Sequence, residues 1–135
     1  MKKTYRYKLN LTDEQKNVFE QFFGSVRFIF NWGLDKKIKS FEQSHKQISF
    51  EQLVEELLSL KNSEKMSFLN DCPEDCLIES LKNLESASAN FFKKANDYPK
   101  FKSKKHSKSV CRFTKDVAID FDNWTLRLSY IYNNV

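Results

Sequence analysis

The chain has 135 residues, of which 40% are hydrophobic and 15% aromatic, with thirteen Phe. That supports one domain with a real core and excludes global disorder, while only two Gly and two Pro argue against an all-β protein. The net charge of +5 is concentrated: from Lys93 to Arg112 eight Lys and Arg stand against one acid, Asp97, and the rest of the chain has 15 cations and 17 acids.

The first element is "TYRYKLNL", Thr4 to Leu11. Tyr5, Tyr7, Leu9 and Leu11 alternate with Arg6, Lys8 and Asn10, the period-two pattern of a half-buried strand. A helix follows. Thr12 and Gln15 make a T-x-x-Q capping box that satisfies orphan backbone N–H groups, and Asp13 and Glu14 suit the positive end of the helix dipole. Val18, Phe19, Phe22 and Phe23 form its stripe. Gly24 is placed to stop it and Ser25 to cap the next helix. There Val26, Ile29, Phe30, Gly33, Leu34, Ile38 and Phe41 recur at three- to four-residue spacing, with Phe28 and Trp32 as a second apolar edge.

"SFEQ" at Ser49 to Gln52 is a second capping box, with Leu53, Val54, Leu57, Leu58 and Leu60 behind it. "MSFLNDCPED" breaks the periodicity. Pro73 suits the first position of another helix, and Glu74 and Asp75 suit its N-terminus. Leu77, Ile78, Leu81, Leu84, Ser88, Phe91 and Phe92 carry that helix to about Asn96. Phe28, Trp32, Phe91 and Phe92 are expected in the core. Beyond the cationic segment, Val117, Ile119 and Phe121 alternate, Asp122 and Asn123 mark a turn, and Trp124, Leu126 and Leu128 alternate back, a β-hairpin. The fold class expected is α+β: about four helices inserted between a first strand and a C-terminal hairpin that it joins.

The cationic segment "YPKFKSKKHSKSVCRFT" holds the candidate binding residues Lys100, Lys102, Lys104, Lys105, Lys108 and Arg112. Like charges this crowded repel one another unless a polyanion is present, so the partner expected is nucleic acid. Tyr98 and Phe101 can pack on the helices or stack on bases. Arg27 is a further candidate for nucleic-acid contact. Asn31 is read more readily as a structural hydrogen-bonding group. The three cysteines Cys72, Cys76 and Cys111 have no nearby His, so zinc is not expected and buried or half-buried thiols are. His45 and His106 are lone histidines in polar loops. No metal, cofactor or catalytic group is expected. With no apolar run of membrane-spanning length and no signal peptide, the reading is a soluble cytoplasmic protein without a membrane partner.

Four motifs, in order, carry a resemblance. "GSVRFIFNWGLDKKI" resembles the G-x-x-R-F-x-x-N-x-x-L signature of the TnpB (OrfB) proteins of insertion sequences. "LKNLESASANFFKK" is similar to their L-x-x-L-x-x-A-x-x-N-F-F segment, and "YPKFKSKK" to their [FY]-P-x-F-[KR]-x-[KR] run. "RFT" followed by "VAID" resembles their F-T-N block, in which Thr114 keeps the hydroxyl and joins the candidate nucleic-acid contacts. The resemblance implies an RNA-guided DNA nuclease family whose N-terminal part is a wedge barrel with an inserted helical recognition lobe. That part holds guide RNA scaffold and reads a motif beside the DNA target, and its first helices are described as a helix-turn-helix.

On that basis the division expected is 1–11 as first wedge strand, 12–97 as recognition lobe, 98–113 as basic ribbon and 114–135 as returning wedge strands. The family's RuvC carboxylates and zinc finger lie beyond the wedge. The tail "SYIYNNV" lacks the Pro and Gly-Trp pair usual there. The resemblance therefore implies a truncated, transposase-like recognition module without nuclease activity, its partners structured RNA, duplex DNA or both. The alternative is a decayed remnant, or an interaction fragment that docks on a full-length relative. A departure concerns the helix after Pro73, where Glu74, Asp75 and Ile78 stand near positions that are polar in the family. Acids there would repel DNA phosphate.

Overall fold

A computed structural model describes Arg6 and residues 8–93, 97–105, 110–114 and 117–128. Helix α1 spans Asp13–Ser44, α2 Phe50–Lys61 and α3 Glu74–Phe92. A 3-10 helix, Glu64–Asp71, lies between α2 and α3. Strands β1, Ala118–Asp120, and β2, Thr125–Arg127, pair antiparallel with Ile119 opposite Leu126. The architecture is α+β, four helical elements and a hairpin.

Both capping boxes form. The Thr12 amide donates to Gln15 Oε1 at 2.9 Å while the Gln15 amide donates to Thr12 Oγ1 at 3.1 Å. Ser49 and Gln52 repeat this at 3.3 and 3.2 Å. Each box satisfies two amides that a helix start would otherwise leave unpaired.

Gly24 does not stop a helix. Helix α1 runs through it for 32 residues, about 48 Å at 1.5 Å per residue. A glycine stop needs a positive φ, and no glycine has one. The stripe Phe19, Phe22, Val26, Ile29, Phe30 and Leu34 is buried without a break in phase. Its burial outweighs the roughly 1 kcal/mol that an interior glycine costs a helix. The helix ends instead at His45, in the left-handed region at φ 57°, whose amide donates to the Phe41 carbonyl at 2.8 Å.

The core lies between α1 and α3, closed by α2 and the 3-10 helix. Leu53, Leu57, Leu69, Leu77, Leu81 and Leu84 are buried with the α1 stripe. Gly33 sets the approach of α1 to α3: a Cβ there would lie 2.8 Å from Leu84 Cδ2 and 2.9 Å from Leu81 Cδ2. Gly33→Val should therefore overpack the interface and destabilise the protein by about 1–3 kcal/mol, read as a lower urea midpoint with an unchanged slope.

Two polar links cross this core. Ser80 Oγ donates to the Val26 carbonyl at 2.8 Å. The buried Lys37 ammonium pairs with Glu85 at 2.9 Å and donates to the Ile48 carbonyl at 3.2 Å. That ties α1 to α3 and to the loop before α2, and it meets the requirement that a buried cation be paired.

Several expectations change. The segment "MSFLNDCPED" breaks the 3.6-residue period because most of it lies in the 3-10 helix, kinked at Met66, and Leu69 anchors it in the core. Pro73 is the N-cap of α3 and not its first residue, and α3 ends at Phe92. Residues 94–96, which the helix was expected to reach, lie outside the described residues. Thr4, Tyr5 and Tyr7 of the expected first strand do too, and Arg6 and residues 8–11 are not in a strand. Lys8, Leu9 and Asn10 nevertheless lie against the hairpin and line a cleft of ≈ 270 Å³ with its side chains. Of the hairpin's apolar residues Leu128 is buried and Leu126 half-buried, whereas Val117, Ile119 and Phe121 are exposed.

Candidate nucleic-acid interface

The cationic ribbon lies along the helical body, held at several points. At its start, Tyr98 packs edge-on against Phe91 at a 5.0 Å centroid distance. The Tyr98 hydroxyl accepts from Gln47 Nε2 at 3.1 Å, and burial raises its pKa. In its middle, Asn31 clamps the backbone of Lys102. The Lys102 amide donates to Asn31 Oδ1 at 2.6 Å, and Asn31 Nδ2 donates to the Lys102 carbonyl at 2.8 Å. An asparagine side chain used this way satisfies both polar groups of one extended residue. Asn31→Ala should release this point. Deuterium exchange at the Lys102 amide should speed up by roughly tenfold, while α1 and α3 keep their protection.

At its end, Phe113 packs on Phe22 and Phe19 at 6.0 and 6.5 Å. The Thr114 amide and hydroxyl both donate to Asp75 Oδ2, at 2.6 and 3.2 Å. Asp75 thus joins α3 to the returning segment. Its carboxylate accepts both bonds at an exposed position, a structural role for one of the acids noted after Pro73.

Cys111 meets Cys76, which in turn meets Cys72. All three thiols are free. The contact with Cys76, then burial, pushes the Cys111 thiol up. For Cys76 the Cys111 contact pulls downward, but the Cys72 contact and burial outweigh it. Thiols held this far from ionisation are inert packing groups.

The candidate cations separate by environment. Lys102 carries its ammonium 4.2 Å from the centre of the Phe30 ring, and burial lowers its pKa. Lys104 reaches Glu20 on α1 at 3.8 Å, and Arg112 reaches Glu79 on α3 at 3.8 Å. Both cations are largely exposed; in the Lys104 pair the carboxylate is exposed too, and such a pair contributes about 1 kcal/mol or less, whereas Glu79 is largely buried. Lys100 and Lys105 are exposed, with no ion-pair partner among the described residues. Lys108 lies outside the described residues. Arg27 is half-buried on α1. Its Nη1 is buried with no hydrogen-bond partner among the described residues, and Asp35, further along α1, pairs with Lys39 at 2.9 Å. The ribbon therefore gathers Lys100, Lys102, Lys104 and Lys105 in one run, with Arg112 and Thr114 further along. Arg27 is separate, on the helix the ribbon crosses.

Two features escaped the sequence reading. Asn31 was assigned a bond between helices, but it binds the ribbon. Phe91 and Phe92 are core residues by pattern, yet both are exposed, Phe92 the more so. The stripe of α3 reaches Phe91 and Phe92 as the helix ends, where no neighbouring element remains to cover both. In the hairpin turn, Asp120 accepts from the Asn123 side chain at 2.8 Å and from the amides of Asp122 and Asn123. The Asn123 bonds hold its carboxyl below the usual range, a turn-forming role.

Comparison with known proteins gives concordant results. A sequence-family profile described as "Helix-turn-helix domain", of the OrfB IS605 type, matches residues 1–46. Among the described residues of that range the structure has one helix, α1, and its capping turn. The chain is 30% identical over 129 residues to the "Putative RNA-guided DNA endonuclease" of Streptomyces pristinaespiralis, covering 96% of this chain and 32% of that protein. It is 31% identical over 119 residues to the "Putative RNA-guided DNA endonuclease InsQ" of Escherichia coli (strain K12), covering 88% of this chain and 29% of that protein. The chain thus spans about a third of the length of these curated relatives. No helix among the described residues is long and apolar enough to cross a membrane. The OrfB-type profile over the first third of the chain and the two relatives, matched over most of this chain and about a third of their own length, make it similar to part of the TnpB (OrfB) insertion-sequence proteins.

Proposed function

We propose that this chain is a nucleic-acid-binding recognition module that holds RNA scaffold, target DNA or both, and does not itself cleave. The observation that carries the reading is the ribbon. Eight Lys and Arg stand against one acid between Lys93 and Arg112, on a backbone pinned to the helices by Tyr98, Lys102, Phe113 and Thr114. Fixing like charges side by side opposes stability, and a polyanion relieves that repulsion. In the surface pair Lys104–Glu20, phosphate can replace the carboxylate at little cost, and the largely buried Glu79 keeps Lys82 at 3.3 Å if Arg112 turns to phosphate. We assign phosphate contact to Lys100, Lys104, Lys105, Lys108 and Arg112. Lys102 and Thr114 position the ribbon, and Arg27 is a contact on α1. Residues 1–11 and 114–135 serve as the wedge portion, 12–97 as the recognition lobe and 98–113 as the contact ribbon. Phosphate contacts of this kind set register without reading sequence. The test is an anisotropy titration with structured RNA and with duplex DNA at about 50 mM salt, where binding of at least one is expected. No shift with either would sink the reading.

The exposed hairpin supports a second reading, docking on a longer relative. Val117, Ile119 and Phe121 are uncovered, and the described sheet has two strands and hence open edges. Co-purification with a full-length TnpB-like protein, abolished by Ile119→Lys, would favour it. Retention after that substitution would count against it.

A further inference from the structure

Where α3 hands over to the ribbon, two large rings are left in solvent: Phe92 is 59% exposed and Phe101 57%. Neither sits on loose backbone. Phe92 is the last residue of α3, and its ring meets Phe91 edge-on at 5.3 Å. Phe91 in turn holds Tyr98. Phe101 precedes Lys102, whose amide and carbonyl are both clamped by Asn31. Tyr98 and Phe101 are three residues apart, at most about 10 Å of extended chain. The inner rings, Phe91 and Tyr98, thus anchor a surface whose outer rings are Phe92 and Phe101. Lys93, Lys100, Lys104 and Lys105 lie within a few residues of these rings in the chain and are exposed. The acid nearest in sequence is Asp97, which is exposed, and Glu20 pairs with Lys104.

Exposed aromatic faces interleaved with cations match one ligand chemistry. Bases of an unpaired strand present flat π faces at intervals, and the phosphates between them need positive charge. A duplex meets only half of this, because its base faces are already stacked on one another. We propose that this surface takes a single-stranded nucleic acid, with bases stacked on Phe92 and Phe101 and phosphates held by Lys93, Lys100, Lys104 and Lys105. The proposal rests on the nucleic-acid reading above and narrows it to an unpaired segment.

The test uses the full chain and three labelled probes of equal length, about twelve nucleotides, within the range of single-strand site sizes. They are a base-bearing single strand, an abasic single strand of the same charge, and a duplex. The base-bearing strand should bind most tightly. Phe92→Ala and Phe101→Ala should each weaken it by about tenfold and change abasic-strand and duplex binding by less than about twofold. Both side chains are exposed, so circular dichroism should be unchanged. Equal binding of base-bearing and abasic strands, or Phe variants without effect on the base-bearing strand, would overturn the stacking proposal. A duplex preference would overturn it as well and leave the broader reading standing. Absence of binding to every probe at low salt would bring down both.

Discussion

Raising salt from about 50 to about 200 mM is expected to weaken binding of a single strand by about 50-fold. The magnitude follows from the structure. The four cations assigned to a single strand, Lys93, Lys100, Lys104 and Lys105, are exposed, and Lys102 is committed to the Phe30 ring. Four contacts at a slope of about −0.7 each give close to −3 on a logarithmic plot. Counting every ribbon cation as a duplex contact, as the bare sequence invites, would give about a thousandfold loss. Substitution separates the two accounts. Lys100→Ala with Lys105→Ala should make the slope shallower by about 1 to 2, whereas Lys102→Met should change it by less than about 0.5. The measurement is a set of anisotropy isotherms across a salt series. A slope unaffected by the double substitution would remove the ribbon from the interface.

Leu81→Ala is expected to destabilise the protein by about 2–5 kcal/mol, a large part of the 5–15 kcal/mol typical of a domain. Leu81 is fully buried and sits where α3 meets Gly33 on α1. Truncation there leaves a cavity between two helices already at close approach, so little collapse is available to fill it. Urea unfolding should show a lower midpoint with the slope retained. A loss below about 1 kcal/mol would mean that the α1–α3 contact is not the centre of the core. The same variant bears on function, because Asn31 and Glu79 hold the ribbon from these two helices. Near its unfolding midpoint it should lose nucleic-acid affinity, and at low temperature, where it is folded, it should keep it.

Local chemistry explains which elements were legible. The capping boxes at Thr12 and Ser49 involve groups three residues apart, so their bonds follow from the sequence itself. The leucine spacing of α2 and α3 is likewise a short-range signal. Gly24 misled because a glycine marks a stop only where the chain turns into the left-handed region. Whether it turns there depends on what buries Phe22 and Val26 on either side. The 3-10 helix has no 3.6-residue period to detect, and its anchor Leu69 is defined by the pocket it enters. The exposure of Ile119 and Phe121 was hidden for the same reason, since an alternating pattern says which residues share a face but not whether anything covers it.

The sequence by itself determined the concentration of positive charge between Lys93 and Arg112, the capped helices and the family motifs, because these depend on residue identity and short spacing. Only the tertiary structure decided how that charge is used. Asn31 lies 71 positions before Lys102 in the chain, yet it holds the ribbon's backbone, and Phe30 takes the Lys102 ammonium out of play. Asp75 bonds to Thr114, 39 positions away, and Phe92, a core residue by pattern, emerges as an open ring. Each outcome is set by which distant surface lies alongside, and that information exists only once the helices have packed.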